Sequence, residues 1–205
     1  IIGRIELQAM NPLFIESIQT FPSVADRSVK VKITLSKEHD INGKQIRLSA
    51  VAFNSSKKHK VKATEYALKE GCKEYEFVYQ LGSKALLWSD LQPALYQLKA
   101  EINGIDEQTV RFGLRDFKAE QTHFTINGAK TFLRGKHDAC VFPLTGYTAM
   151  DLEQWRRYFR ICKEYGLNHC RFHSWCPPAA CFEAADLEGI YLQPVYQKKS
   201  KDTKH

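Results

Sequence analysis

The sequence predicts an all-β, immunoglobulin-like sandwich followed by the incomplete start of a (β/α)8 TIM barrel, and three observations carry that expectation. The first 114 residues read with a period of two, and from about Phe117 the period lengthens. Turn signals divide the first part into seven short strands, the spacing of a β-sandwich. The second part alternates strand, helix, strand, helix, strand, which is the pattern of parallel βαβ units with right-handed crossovers.

In Val29-Lys30-Val31-Lys32-Ile33-Thr34-Leu35 apolar and polar residues alternate without exception, so one face is buried and the other wet. The same alternation marks 75–81, 96–102 and 110–114, and less regular strands are expected at 13–20, 46–53 and 61–67. Ile41-Asn42-Gly43, Asn54-Ser55-Ser56 and Ile102-Asn103-Gly104 supply the turns. These strands make a sandwich over 13–114. A short strand at 3–10 precedes it, and residues 1–12 read as the end of a domain that is mostly missing.

Phe124-Thr125-Ile126 and Thr131-Phe132-Leu133-Arg134 flank Asn127-Gly128, a hairpin turn. A helix is expected over about 152–165. Leu152, Trp155, Phe159 and Cys162 share one of its faces, and Arg156, Arg160 and Lys163 lie elsewhere. Asp151 with Gln154 looks like a capping box, and Gly166 suits the position just past the helix end. A strand follows at 168–173. A second helix has Pro177 in its first turn, runs 179–188 and ends at Gly189, and a strand at 190–193 comes next. A closed barrel needs eight strand–helix units and ~250 residues. The barrel-like stretch, 115–195, supplies three parallel strands. After Pro194 the sequence turns basic and loses its period, so 196–205 are expected to form a disordered tail.

A chain of 205 residues, 43% hydrophobic and 26% charged, is an ordinary globular sequence long enough to bury a core. Its apolar runs fall short of the ~18 residues of a membrane helix, so no membrane partner is expected. The net charge is +7, but the last eight residues, KKSKDTKH, hold four Lys against one Asp and so supply +3, leaving +4 elsewhere. Lys57-Lys58-His59-Lys60 falls in a turn. No basic stripe is interleaved with aromatics, so no nucleic-acid partner is expected either. Five of the six cysteines lie between Cys140 and Cys181 without any Cys-x-x-Cys pair. They read as free, mostly buried thiols, and no metal site is assigned. No charged-then-apolar leader precedes a cleavage site, which leaves the localisation open.

A series of short motifs runs through both parts. Ala85-Leu86-Leu87-Trp88-Ser89 is followed by Pro93-Ala94-Leu95-Tyr96, and Phe112-Gly113-Leu114-Arg115 closes the sandwich. Asn127-Gly128 and then Phe132-Leu133-Arg134-Gly135 open the second part. Tyr165-Gly166-Leu167-Asn168-His169-Cys170-Arg171 and Ala184-Ala185-Asp186 through Gly189-Ile190-Tyr191 continue it. In this order they resemble glycoside hydrolase family 2, the group of β-galactosidases, β-glucuronidases and β-mannosidases, from residue 1 to about 195. The resemblance implies a jelly-roll sugar-binding domain before the sandwich and a catalytic barrel after it. It also implies retaining exo-hydrolysis of a terminal β-glycoside in carbohydrate metabolism, β-galactosidase-like, with a carbohydrate partner and no cofactor.

In an alternating strand His169, Arg171 and His173 share one face, and Cys170 and Phe172 point to the other. The apolar face of a barrel strand meets the helices, so the polar face points inward, and active sites sit at the C-terminal strand ends. That places Arg171 and His173 at the mouth. An Arg there can hold a carboxylate ionised or bond sugar hydroxyls through its fork of donors, or it can be paired structurally. The resemblance implies that the matching Arg lines the active site. The family's His stands three residues after that Arg, where this chain has Ser174, and His173 comes two after. His137 and Asp138 are read as following the first barrel strand, also at the mouth. The resemblance implies Arg-Gly-x-Asn and a substrate-contacting His there, against Arg134-Gly135-Lys136-His137-Asp138 in this chain, leaving sugar contact or loop capping open. Trp175 can stack on a pyranose ring or pack over the start of the second helix.

Retaining glycosidases need two carboxyl groups ~5–5.5 Å apart. The resemblance implies Glu residues at the ends of later barrel strands, the first in an Asn-Glu pair, and no Asn-Glu occurs in this sequence. Asp151 and Glu153 begin the first helix, Glu164 ends it, and Glu183, Asp186 and Glu188 belong to the second. Asp138 alone is near the expected mouth, so no catalytic residue is assigned and the chain by itself is expected to be inactive. Family members continue Leu-Gln-Pro with Glu and an apolar segment, but here Gln193-Pro194 runs into Val-Tyr-Gln-Lys-Lys-Ser-Lys-Asp. A frameshift, a premature stop, a misread gene boundary or a deliberate cut would each produce this. The rival reading is a non-catalytic carbohydrate-binding or spacer sandwich carrying the βαβ piece as a cap. A basic nucleic-acid binder ranks third and predicts affinity that falls steeply with salt. An open third barrel strand leaves an unpaired edge, so self-association, or disorder beyond about residue 115, is expected.

Overall fold

The computed structural model describes residues 6–38, 41 and 43–195. The chain forms two compact units. The first runs to Leu86 and resumes over Leu95–Arg115, and the second takes Leu87–Ala94 and the chain from Asp116 onward. The expected strand at 3–10 lies partly outside the described residues, and its described part, 6–10, is not a strand. The basic tail, 196–205, lies outside them altogether.

The first unit holds strands β1 (Ile15–Ser23), β2 (Ser28–Leu35), β3 (Gln45–Phe53), β4 (Lys60–Ala67), β5 (Glu74–Gln80), β6 (Leu95–Ile102) and β7 (Asp106–Phe112). They form two antiparallel sheets in the orders β1-β2-β5 and β4-β3-β6-β7. This is an all-β sandwich in which β4 joins the sheet of β3 and β6. Every strand expected from the alternation is present. The largest boundary change is in β7, which begins at Asp106 because the turn at Ile102 sets Asp106 opposite Ile102 and the ladder runs through polar residues. Backbone pairing needs no apolar side chain there.

Packing explains the alternation. Val29, Val31, Ile33 and Leu35 of β2 are fully buried, facing inward with Ile46, Leu48 and Ala50 of β3 and Tyr96, Leu98, Ala100 and Ile102 of β6. On the wet face Lys30 and Lys32 reach Glu76 and Glu74 of β5, each at 3.3 Å. Such exposed pairs contribute ~0–1 kcal/mol each, so the apolar face dominates. Tyr96 opens β6 with its hydroxyl accepting from the Leu86 amide at 2.8 Å, like the tyrosine corner of immunoglobulin-type sandwiches.

The second unit opens with β8 (Phe117–Glu120), β9 (His123–Ile126) and β10 (Ala129–Thr131), an antiparallel sheet in the order β10-β9-β8. Asn127 and Gly128 turn between β9 and β10 with φ of 52° and 81°, as a type I′ hairpin requires. Strand β8 escaped the sequence reading because all of its residues are exposed and leave no period to detect. Then follow β11 (Gly135–Asp138), α1 (Leu152–Glu164), β12 (His169–Phe172), α2 (Ala179–Glu188) and β13 (Tyr191–Pro194). Strands β11, β12 and β13 are parallel neighbours. Gly135, His169 and Tyr191 share one row, and His137, Arg171 and Gln193 share another.

Helices α1 and α2 cover one face of this sheet. Trp155 and Phe159 of α1 pack with Cys170, Phe172, Cys181, Ala184, Ala185 and Ile190. Asp151 caps α1 by accepting from the Gln154 amide at 2.9 Å, while the Gln154 side chain bonds the Asp151 carboxylate rather than its backbone. The N-cap of α2 is Pro178, which leaves Pro177 outside the first turn where it was expected. Glu188 at the end of α2 receives Arg156 at 2.8 Å and Arg160 at 3.0 Å, joining the two helices. All six cysteines are free. Cys162, Cys170 and Cys181 are buried, but Cys140 and Cys176 are exposed in loops past β11 and β12, so the thiols are not mostly buried as expected. No helix among the described residues is long and apolar enough to cross a membrane, which says nothing of β-barrels.

Candidate functional site

Pleating sorts the polar residues of the parallel sheet into two sets. Gly135, Lys136, His137, His169 and Arg171 line an open hollow of about 420 Å³, and the Lys136 ammonium itself turns to Tyr158 and Asp138 on the helix side. Cys170 and Phe172 lie in the helix-covered core, on the face expected from the alternation.

The floor of the hollow is set by one close approach. A Cβ on Gly135 would lie 2.3 Å from His169 Nδ1, so glycine leaves room for the imidazole in the neighbouring strand. Burial holds the His169 pKa below its ordinary value and favours the neutral ring. Arg171 is half-buried one row further on, and among the described residues no carboxylate pairs with it. At the C-terminal strand ends the exposed rings of His137 and His173 stand 5.1 Å apart, tilted by 56°. The His173 amide donates to the Asp138 carbonyl at 2.7 Å, and Ser174 then takes φ of 60° and redirects the chain. Arg171, His137 and His173 are thus brought together.

Asp138 and Trp175 do not join them. His137 and Asp138 stand inside β11 rather than after it, because the strand starts at Gly135. One step of the pleat turns Asp138 to the helix face, where it is buried. Its carboxylate accepts from the Tyr158 hydroxyl at 2.7 Å and the Cys140 amide at 2.9 Å, with Lys136 Nζ at 3.6 Å. Of the two readings left open, Asp138 takes loop capping. Burial, and next the Asp138 hydrogen bond, push the Tyr158 phenol well above its usual range. Trp175 donates to the Asp138 carbonyl at 3.3 Å and sits edge-on to Phe172 and Phe142 at 5.1 and 6.2 Å, so it packs rather than faces the hollow.

The sequence reading put His169 on the right face but did not count it as site floor. It passed over Gln193, which the register sets beside Arg171. The alternation signals His169 directly, whereas Gln193 becomes visible only through strand pairing. Chemically the hollow offers a guanidinium and imidazoles, both suited to sugar hydroxyls or a carboxylate, while the Lys136 ammonium is turned to Tyr158 and Asp138 on the helix side. None of its lining residues is an acid. Among the described residues no three His, Cys, Asp or Glu side chains are grouped as a metal site.

The sequence profile described as glycosyl hydrolases family 2 matches residues 13–115. No curated protein matches the sequence. A family 2 glycosyl hydrolase member from Bacteroides cellulosilyticus superposes with a TM-score of 0.66 at 24% identity, covering 89% of this chain and 25% of that one. The β-glucuronidase from Ruminococcus gnavus in complex with D-glucaro-d-lactam gives a TM-score of 0.70 at 19% identity, covering 92% of this chain and 30% of that one. The Faecalibacterium prausnitzii β-glucuronidase gives 0.70 at 19%, covering 88% and 27%. The chain therefore spans about a quarter to a third of the length of these structures, and at such identities the likeness is one of fold. The expectation of a β-galactosidase-like enzyme finds no support among them, since those named by activity are β-glucuronidases. With half of its residues matched by the profile, the chain belongs to glycosyl hydrolase family 2.

Proposed function

We propose that this chain is part of a retaining exo-glycoside hydrolase acting on terminal β-glycosides. In this reading 1–12 end a sugar-binding jelly roll, 13–114 form the sandwich, and 115–195 begin a (β/α)8 catalytic barrel. The observation that carries it is the cluster of Arg171, His137 and His173 at the C-terminal ends of parallel strands, where such barrels bind substrate. Arg171 and His137 contact the sugar from the hollow, and His173 contacts it from the rim. Acid/base hydrolysis needs no cofactor. The Arg171 guanidinium in the lining, together with the β-glucuronidases among the structural neighbours, makes a β-glucuronide the first substrate to test.

By itself the chain does not turn over substrate, because the hollow lacks the paired carboxyl groups. The same feature fits the second reading, a non-catalytic carbohydrate-binding or spacer module. Among the described residues the outer edges of β11 and β13 have no strand partner, which favours self-association. Incubation of the chain with aryl β-glucuronide, β-galactoside and β-mannoside tests the proposal, paired with sequencing of the source DNA in all frames beyond the last codon. The expected result is no hydrolysis, with an Asn-Glu and a second Glu encoded downstream in a barrel pattern. Hydrolysis abolished by Arg171→Ala would overturn the inactivity, and no barrel pattern downstream would favour the binding module.

A further inference from the structure

We propose that residues 87–94, which lie between two sandwich strands in the sequence, are a built-in strut of the second unit, and that Asp90 is a positioning residue for the Arg171 face. The segment leaves the first unit after Leu86 and packs wholly within the second. Ser89 and Gln92 close it as a tight turn, with Trp88 bridged to Pro93. Trp88 is 1% exposed, donates to the Asp186 carbonyl of α2 at 2.8 Å and meets the Tyr191 ring edge-on at 5.5 Å. Its carbonyl accepts from the Asn127 side chain at 3.0 Å.

Asp90 makes the decisive contacts. Its buried carboxylate accepts from Asn168 Nδ2 at 2.9 Å and from the Tyr191 hydroxyl at 3.1 Å. Its carbonyl accepts from Lys163 and fits so closely under α2 that a Cβ on Gly189 would lie 2.6 Å from it. Gly189 also needs φ of 73° to end the helix, so two requirements select glycine there. Asn168, itself 1% exposed, spends every polar group: Oδ1 accepts from the Arg134 amide at 2.8 Å, and Nδ2 donates also to the Phe132 carbonyl at 3.0 Å. Its backbone joins Arg134 at 3.0 Å and Tyr191 at 2.8 Å. Asn168 thus clamps the starts of β11, β12 and β13, and Asp90 fixes the orientation of its amide. Arg171 stands three residues along β12, so the clamp sets the register that brings Arg171 beside His137.

The clamp is independent of the glycosidase reading, whereas what Arg171 binds rests on it. The test uses the whole chain with Asp90→Ala and Asp90→Asn, read by amide hydrogen exchange and by the side-chain Nε–H resonance of Arg171. Asn keeps one acceptor for Asn168 and presents an N–H to the Tyr191 hydroxyl, whereas Ala removes the acceptor that Asn168 Nδ2 and the Tyr191 hydroxyl share. Asp90→Ala is expected to speed exchange at Arg171 and Phe172 about tenfold, leave Leu98 and Ala100 of β6 unchanged and shift the Arg171 resonance. Asp90→Asn is expected to restore all three. Unchanged exchange in β12, equal loss in both units, or no rescue by Asn would overturn the proposal.

Discussion

The two units of this chain are specified in different ways. The sandwich rests on two apolar faces in which each buried side chain is one of many alike, as in the run Val29, Val31, Ile33 and Leu35. The parallel sheet of the second unit has an apolar core on its helix side, but its strand starts are set by single buried polar residues, Asn168 and Asp90. Apolar packing is tolerant and spreads its load over many contacts. A buried hydrogen-bond clamp is not tolerant, because removing one member strands the others.

The two units differ most in how they respond to losses in their cores. Phe159→Ala should cost ~3–5 kcal/mol and Leu98→Ala ~2–5 kcal/mol, each by cavity formation at a fully buried site. Residue-resolved exchange should show the first loss confined to the second unit and the second to the sandwich. A single loss shared by both units in either variant would contradict the division into two.

A smaller effect sharpens the contrast through pH. Burial lowers the His169 pKa in the folded chain, so the unfolded chain binds the proton more readily. Its contribution is therefore fully present above the unfolded value of about 6.5 and is lost as pH falls from there through the lowered folded value. Urea titrations monitored in the second unit should show stability declining below about pH 6.5, and His169→Gln should flatten that part of the profile. A profile unaltered by the substitution would show that His169 does not carry this pH dependence.

The sandwich was legible because one-face burial writes a period of two into each strand, and even Lys30 and Lys32 fell on their proper face. The face of Arg171 was legible for the same reason, since alternation set it opposite Cys170 and Phe172. Asp138 was misassigned because the start of a four-residue strand carries too few alternations to fix its phase, and one position decides the face. Trp175 was ambiguous because a lone aromatic in a loop states its burial only through Phe142 and Phe172. The strut at 87–94 was hidden since its partners, Asn168 and Tyr191, lie 78 and 101 residues from Asp90. A motif such as Trp88-Ser89 marks that something is fixed there without saying which unit it serves.

In the proposed function the Arg171 face binds a sugar without turning it over. Titration of the chain with glucuronate, galactose and mannose, followed through the His137, Arg171 and His173 resonances, tests it most directly. Saturable shifts confined to those residues are expected, strongest for glucuronate and abolished by Arg171→Ala with the fold intact. Shifts that persist in Arg171→Ala, or that appear instead on the sandwich, would contradict it.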